Sequence, residues 1–120
     1  MPTEWERSNE VIESVCRALN GDPTNLDLAS RYWMALGDKR DGRSVIAAYR
    51  AAALASSVGV AAFARAYREL FDVSGESPRL VYFDTALIQA LQRNRSELPR
   101  TDRENVQWIL RSIGVAPPSP

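Results

Sequence analysis

DPTNLDLASRYWMALGD, residues 22–38, followed after a polar turn by VIAAYRAAAL, residues 45–54, decides how this chain folds. In the first stretch Asp22–Pro23 is a cap-then-first-turn signal. Leu26, Ala29, Trp33 and Leu36 then recur at intervals of three and four, the period that puts apolar side chains on one face of an α-helix. Gly37 ends the stripe, and GDKRDG, residues 37–42, supplies the turn. In the second stretch Val45, Ala48, Tyr49 and Ala52 make another helical stripe. Its alanines favour helix and let a neighbour approach closely. Two helices joined by a short polar turn predict a helical hairpin.

The same punctuation extends in both directions. Upstream, Thr3 and Glu6 have capping-box spacing, and Trp5, Ile12, Val15, Cys16 and Leu19 follow at helical intervals, predicting a first helix over about residues 4–20. Downstream, Val60, Phe63, Tyr67, Leu70 and Phe71 predict a fourth helix ending near Asp72. Ser77–Pro78 repeats the cap-then-proline start, and Leu80, Phe83, Leu87, Ile88 and Leu91 predict a fifth helix to about Asn94. Thr101 and Glu104 form a second capping box before Val106, Ile109, Leu110 and Ile113, with Gly114 as the stop. The expected fold is all-α: a compact antiparallel bundle of five or six helices over residues 1–114, with residues 115–120 a Pro-rich flexible tail.

Composition narrows the function. The 120 residues hold fifteen basic and fifteen acidic side chains, one Cys, and no His. Without imidazole there is no Ser-His or Cys-His catalytic pair and no His-containing metal or haem site. Lys39, the one lysine, lies in a polar turn, a poor place for desolvation to lower its pKa. Cys16 falls on an apolar stripe with no His or Lys to hold a thiolate, as a small core residue does. Glu6, Glu10 and Glu13 share a helical face, but carboxylate metal sites in helical bundles add histidines from other helices. A solvated face with Glu13 and Arg17 as an i, i+4 pair is the simpler reading. The glycines form neither a Walker A loop nor a dinucleotide fingerprint. No enzyme activity, cofactor or metal is expected. The longest uncharged stretch, Ala51–Ala64, is too short to span a membrane, and acidic Met1–Glu13 lacks a basic and apolar leader, so a cytoplasmic protein is expected.

Charge is segregated along the chain. Residues 1–27 hold six acids against two arginines, net −4; residues 28–71 hold seven bases against three acids, net +4; the remainder balances. Arg40, Arg43, Arg50, Arg65 and Arg68 make the middle a candidate patch for an anionic partner, and a nucleic-acid-associated regulator is the alternative function. The acidic first helix is expected to pack beside helices two to four and neutralise them, which favours a protein partner instead.

Residues 22–54 also resemble a single tetratricopeptide repeat, the helix-turn-helix unit of about 34 residues. Ser30 stands at its small position, Trp33 at the following aromatic position, Gly37 at the turn, and Ile46, Ala48, Tyr49 and Ala52 on its second helix. Ala29 departs from the usual leucine, and the turn before Tyr49 is about three residues longer than the pattern. An ordinary antiparallel bundle accounts for the same residues. The resemblance implies degenerate repeat-like hairpins whose first helix faces a groove, putting Thr24, Asp27, Arg31 and Met34 against a peptide or partner helix. The expected function is a non-catalytic interaction or regulatory module, with homo-oligomerisation a further option. Reversing the charge of Arg31 is expected to weaken partner capture without lowering thermal stability.

Overall fold

The computed structural model describes the backbone of residues 4–93 and 95–115, and the side chains of residues 9–93 and 96–115. Within these the chain is an all-α bundle of six helices: α1 Glu4–Gly21, α2 Leu26–Leu36, α3 Gly42–Ala55, α4 Ser57–Ser74, α5 Thr85–Arg93 and α6 Arg100–Ser112. The expected Thr3–Glu6 capping box, the Trp5 position of the first stripe, the end of the fifth helix at Asn94 and tail residues 116–120 lie outside the described residues.

The α3–α4 hairpin is the centre of the molecule, because these two helices share the most extensive contact. A single residue joins them. The Ser56 amide donates to the Ala52 carbonyl at 3.2 Å, closing α3, while its hydroxyl accepts from the Gly59 amide at 3.1 Å, opening α4. One serine thus satisfies backbone groups at two helix ends. The turn is so tight that a Cβ on Gly59 would sit 1.9 Å from the Ala52 carbonyl oxygen, so only glycine fits. At the far end Asp41 caps α3 in a reciprocal box with Ser44, and the Gly42 amide donates to Glu76, just beyond α4, at 2.8 Å. Pairing of residue 42 with 76 and 52 with 59 makes the hairpin antiparallel.

Against this hairpin α5 packs on α3 and α6 on α4. An aromatic cluster fills the space between. Phe63, Tyr67 and Phe83 lie with ring centroids about 6 Å apart, and Trp108 meets the edges of Phe71 and Tyr67 at 5.2 and 6.3 Å. Leu87 and Leu91 of α5 and Val106, Ile109 and Leu110 of α6 are fully buried around it. α2 packs on α3, and α1 on α2.

Four local expectations are corrected. Asn25, rather than Asp22, caps α2 by accepting from the Leu28 amide, while Asp22 takes the Asn25 side chain in the preceding turn. Ser77–Pro78 does not begin a helix: Leu80–Tyr82 forms one 3₁₀ turn between extended residues Arg79 and Phe83, and α5 starts at Thr85. Thr101 does not cap α6, which begins at Arg100 after Pro99 with no side-chain cap, and Glu104 pairs with Arg100 instead. The first helix, expected to lie beside helices two to four, packs on α2. The tail assignment also changes at its first residue. Gly114 (φ 76°) lets the Val115 amide donate to Leu110 and its own amide to Arg111, a Schellman ending that packs Val115 on the core.

Candidate functional site

Because α2 and α4 both lean on α3 without closing on each other, an open groove of about 480 Å³ runs between them. Leu26, Ser30, Trp33 and Met34 form its α2 wall, Tyr49 of α3 its floor, and Ala62, Arg65, Ala66 and Glu69 its α4 wall. Alanines at 62 and 66 keep the α4 wall low. Trp33 and Tyr49 give the groove an aromatic base, and Met34, 68% exposed, is its most open apolar side chain. The Trp33 indole N–H is buried and has no acceptor among the described residues. The Ser30 side chain beside Tyr49 acts to lower its phenol pKa. Burial nonetheless raises its phenol above the ordinary value. The groove continues past Arg40 and Glu69 into a second hollow of about 360 Å³ bounded by Asp38, Leu70 and Val73.

The four α2 residues expected at a partner surface separate. Met34 lines the groove. Thr24 is exposed in the turn before α2, and Asp27 and Arg31 pair with each other at 3.1 Å on the neighbouring outward face. The groove instead uses Leu26, Ser30 and Trp33. Leu26 and Trp33 belong to the stripe read from the sequence as core, so the signal was present but carried no mark distinguishing groove wall from interior.

The five arginines of the candidate anionic patch are distributed over three places. Arg40 and Arg65 are at the groove. Arg40 is a staple: its Nε donates to the Trp33 carbonyl at 2.9 Å, its Nη1 to Glu69 at 2.9 Å, and its guanidinium covers the Trp33 ring at 5.1 Å. Arg65 pairs with Asp102 of α6 at 3.3 Å. Arg43 and Arg50 are on the side of the 79–84 loop, Arg43 over the Tyr82 ring at 5.4 Å and Arg50 in a two-point pair with Asp84 at 3.0 and 2.6 Å. Arg68 faces α6, stacked on Phe71 and Trp108 and paired with Asp72 at 3.4 Å. Among the described residues, the carboxylates that meet these arginines are Glu69, Asp72, Asp84 and Asp102. From α1 the described polar contact to the middle segment is Asn9, accepting from Lys39 at 2.9 Å.

Among the described residues no cluster of three His, Cys, Asp or Glu side chains is placed to hold a metal ion, and no helix is long and apolar enough to cross a membrane. No protein-family model, curated protein or solved structure matches this chain.

Proposed function

We propose that the domain is a non-catalytic interaction module that holds a peptide or partner helix in the groove between α2 and α4. The observation that carries this reading is the groove itself. It is based on Trp33 and Tyr49, walled by Met34 and two alanines, and rimmed by Arg40, Arg65 and Glu69. Apolar anchors with a polar rim suit a helix or extended segment that inserts one or two apolar side chains. On this reading α2 and α3 act as the repeat-like hairpin that the tetratricopeptide resemblance implies, with α2 lining the groove. The nucleic-acid alternative has less support, since four of the five arginines already face carboxylates and the fifth covers a tyrosine ring. The single Cys16, without a second cysteine to pair with, fits a reducing, cytoplasmic setting.

Selection of a displayed random-peptide library on the immobilised domain tests the reading. Enriched peptides are expected to lose binding by about tenfold or more on Ala62→Arg, which fills the groove from its half-buried wall, and to keep it on Val58→Arg, remote on α4. Loss on Arg31→Glu with retention on Ala62→Arg would move the partner to the outer face of α2. Failure to enrich any peptide sinks the groove assignment.

A further inference from the structure

The α4 wall of the groove is set by helical spacing: Ala62, Arg65, Ala66 and Glu69 fall at i, i+3, i+4 and i+7 and line it together. Charge along the groove is unequal, with Arg40 and Arg65 against the single carboxylate of Glu69. That carboxylate is already engaged. It accepts from Arg40 Nη1 at 2.9 Å, and Arg40 is itself fixed by its Nε on the Trp33 carbonyl, its side chain only 22% exposed. Arg40 and Glu69 thus form a closed pair, and Arg65 is the cation left over.

Arg65 is held at its root and open at its tip. Its Nε serves both the Ala61 carbonyl and Asp102, each at 3.3 Å, while the side chain is 61% exposed and its terminal amino groups donate no hydrogen bond among the described residues. Asp102, 14% exposed, lines a separate hollow with Ser57, Glu97 and Leu98 rather than the groove, so it anchors Arg65 without occupying the groove side. The groove charges act together on one hydroxyl of the floor. Burial raises the Tyr49 phenol and Ser30 lowers it; Glu69 then raises it, and Arg40 and Arg65 lower it. Two hydroxyls and an anchored guanidinium with open donors therefore share one stretch of the groove, beside the apolar Leu26, Met34 and Ala62.

We propose that the groove selects a peptide segment of a protein partner that carries an acidic side chain beside an apolar one, the carboxylate on the terminal amino groups of Arg65 and the apolar group among Leu26, Met34 and Ala62. This rests on the reading of the groove as a peptide site and adds the chemistry that the site recognises. A carboxylate gains charge-assisted hydrogen bonds from donors that the fold leaves to solvent but already holds in place through Nε. A basic segment would bring its charge beside two guanidiniums, with only Glu69, bridged to Arg40, to meet it. Nucleic acid finds a single open guanidinium here, and one phosphate contact contributes little to an affinity built on many.

Peptides enriched from the displayed library are expected to carry Asp or Glu next to an apolar residue. One of them is then synthesised in two forms, as selected and with its acidic residue replaced by the amide, and both are titrated by fluorescence anisotropy at low salt. The acidic form is expected to bind about tenfold more tightly than the amide form. Arg65→Gln should remove that preference, weakening the acidic form about tenfold and the amide form by less than about twofold. Because loss of Arg65 leaves Asp102 without its partner, the double substitution Arg65→Gln, Asp102→Asn is measured alongside, and should lose the preference equally while still unfolding cooperatively in urea. Enriched peptides without acidic residues, or an acid-to-amide ratio that survives in both variants, overturn this inference and leave the groove reading standing. Tighter binding of a single-stranded oligothymidine of about 15 nucleotides than of the acidic peptide also overturns it. Failure to enrich any peptide removes the groove reading and this inference with it.

Discussion

α3 and α4 are joined by one residue, and the side chains packed between them, among them Val45, Ala48, Tyr49, Ala52, Val60, Phe63 and Tyr67, are buried; α1 and α2 are joined by four, and Ile12, Val15, Cys16 and Tyr32 stay partly exposed. The first pair gains from aromatic burial shared with α5 and α6, the second from a narrower stripe in which Leu19, Ala29, Trp33 and Leu36 are the buried members. Electrostatics divides the same way. Arg40, Arg50 and Arg65 of the α3–α4 half meet carboxylates brought from distant sequence, whereas Glu10 and Glu13 of α1 have no ion pair among the described residues. The α3–α4 half is completed internally, whereas the α1–α2 half leaves more of its side chains open to solvent.

The largest expected effect tests that division directly. Phe63→Ala removes a fully buried ring that touches Tyr67 and Phe83, and should cost about 3–5 kcal/mol in urea unfolding. Ile12→Ala removes a half-exposed side chain and should cost about 1 kcal/mol. Similar losses would erase the contrast between the halves.

A smaller effect of opposite sign comes from within the α3–α4 half. The Tyr67 hydroxyl is buried, makes no well-formed hydrogen bond, and lies 2.5 Å from where a Cβ on Gly42 would stand. Burial first, then the nearby Glu76 charge, pushes its phenol far above the ordinary value. Tyr67→Phe removes a desolvated polar group that has little to lose, so stability should rise by about 1 kcal/mol. A loss of that size would mean that the hydroxyl has an effective acceptor or donor, the adjacent Arg79 backbone being the nearest choice.

The sequence carried the helices better than their beginnings. Apolar spacing identified all six because each buries one face, and burial imposes its period over several turns. Starts depend on single hydrogen bonds, so Asp22 and Asn25 were competing caps for α2, and only the folded turn gave the role to Asn25. Pro78 is compatible with a first helical turn, yet burial of Phe83 between Phe63 and Tyr67 keeps the preceding residues out of a regular helix. The groove was half readable. Placing a partner on α2 singled out Met34, but which side of α2 is open depends on where α4 sits, and that is set by Gly59 and Ser56 far along the chain. Block charges likewise summed correctly while concealing which carboxylate each arginine would meet.

The smallest effect compares one ion pair from each half. Arg50 and Asp84 join α3 to the residue before α5 through two hydrogen bonds, with side chains 41% and 46% exposed; Asp27 and Arg31 lie within α2 at 70% and 66%. Solvent screens both, so Arg50→Ala should cost no more than about 0.5–1 kcal/mol near neutral pH, and Arg31→Ala less than about 0.5. Their pH dependence should differ more clearly. Hydrogen bonding from Arg50 holds the Asp84 carboxyl below its ordinary value, outweighing the small opposing effect of desolvation. A carboxyl whose folded pKa is lowered binds protons more weakly in the native state than in the unfolded chain. Its stabilisation is therefore complete above the unfolded value of about 3.9 and disappears as pH falls through the lower folded value. Urea midpoints of wild type and Arg50→Ala should differ at pH 6 and converge below about pH 3. A difference that survives at pH 2 would show that the Arg50 stem stabilises the α3–α5 side by packing rather than by its charge, leaving the two halves alike in how little their surface ion pairs contribute.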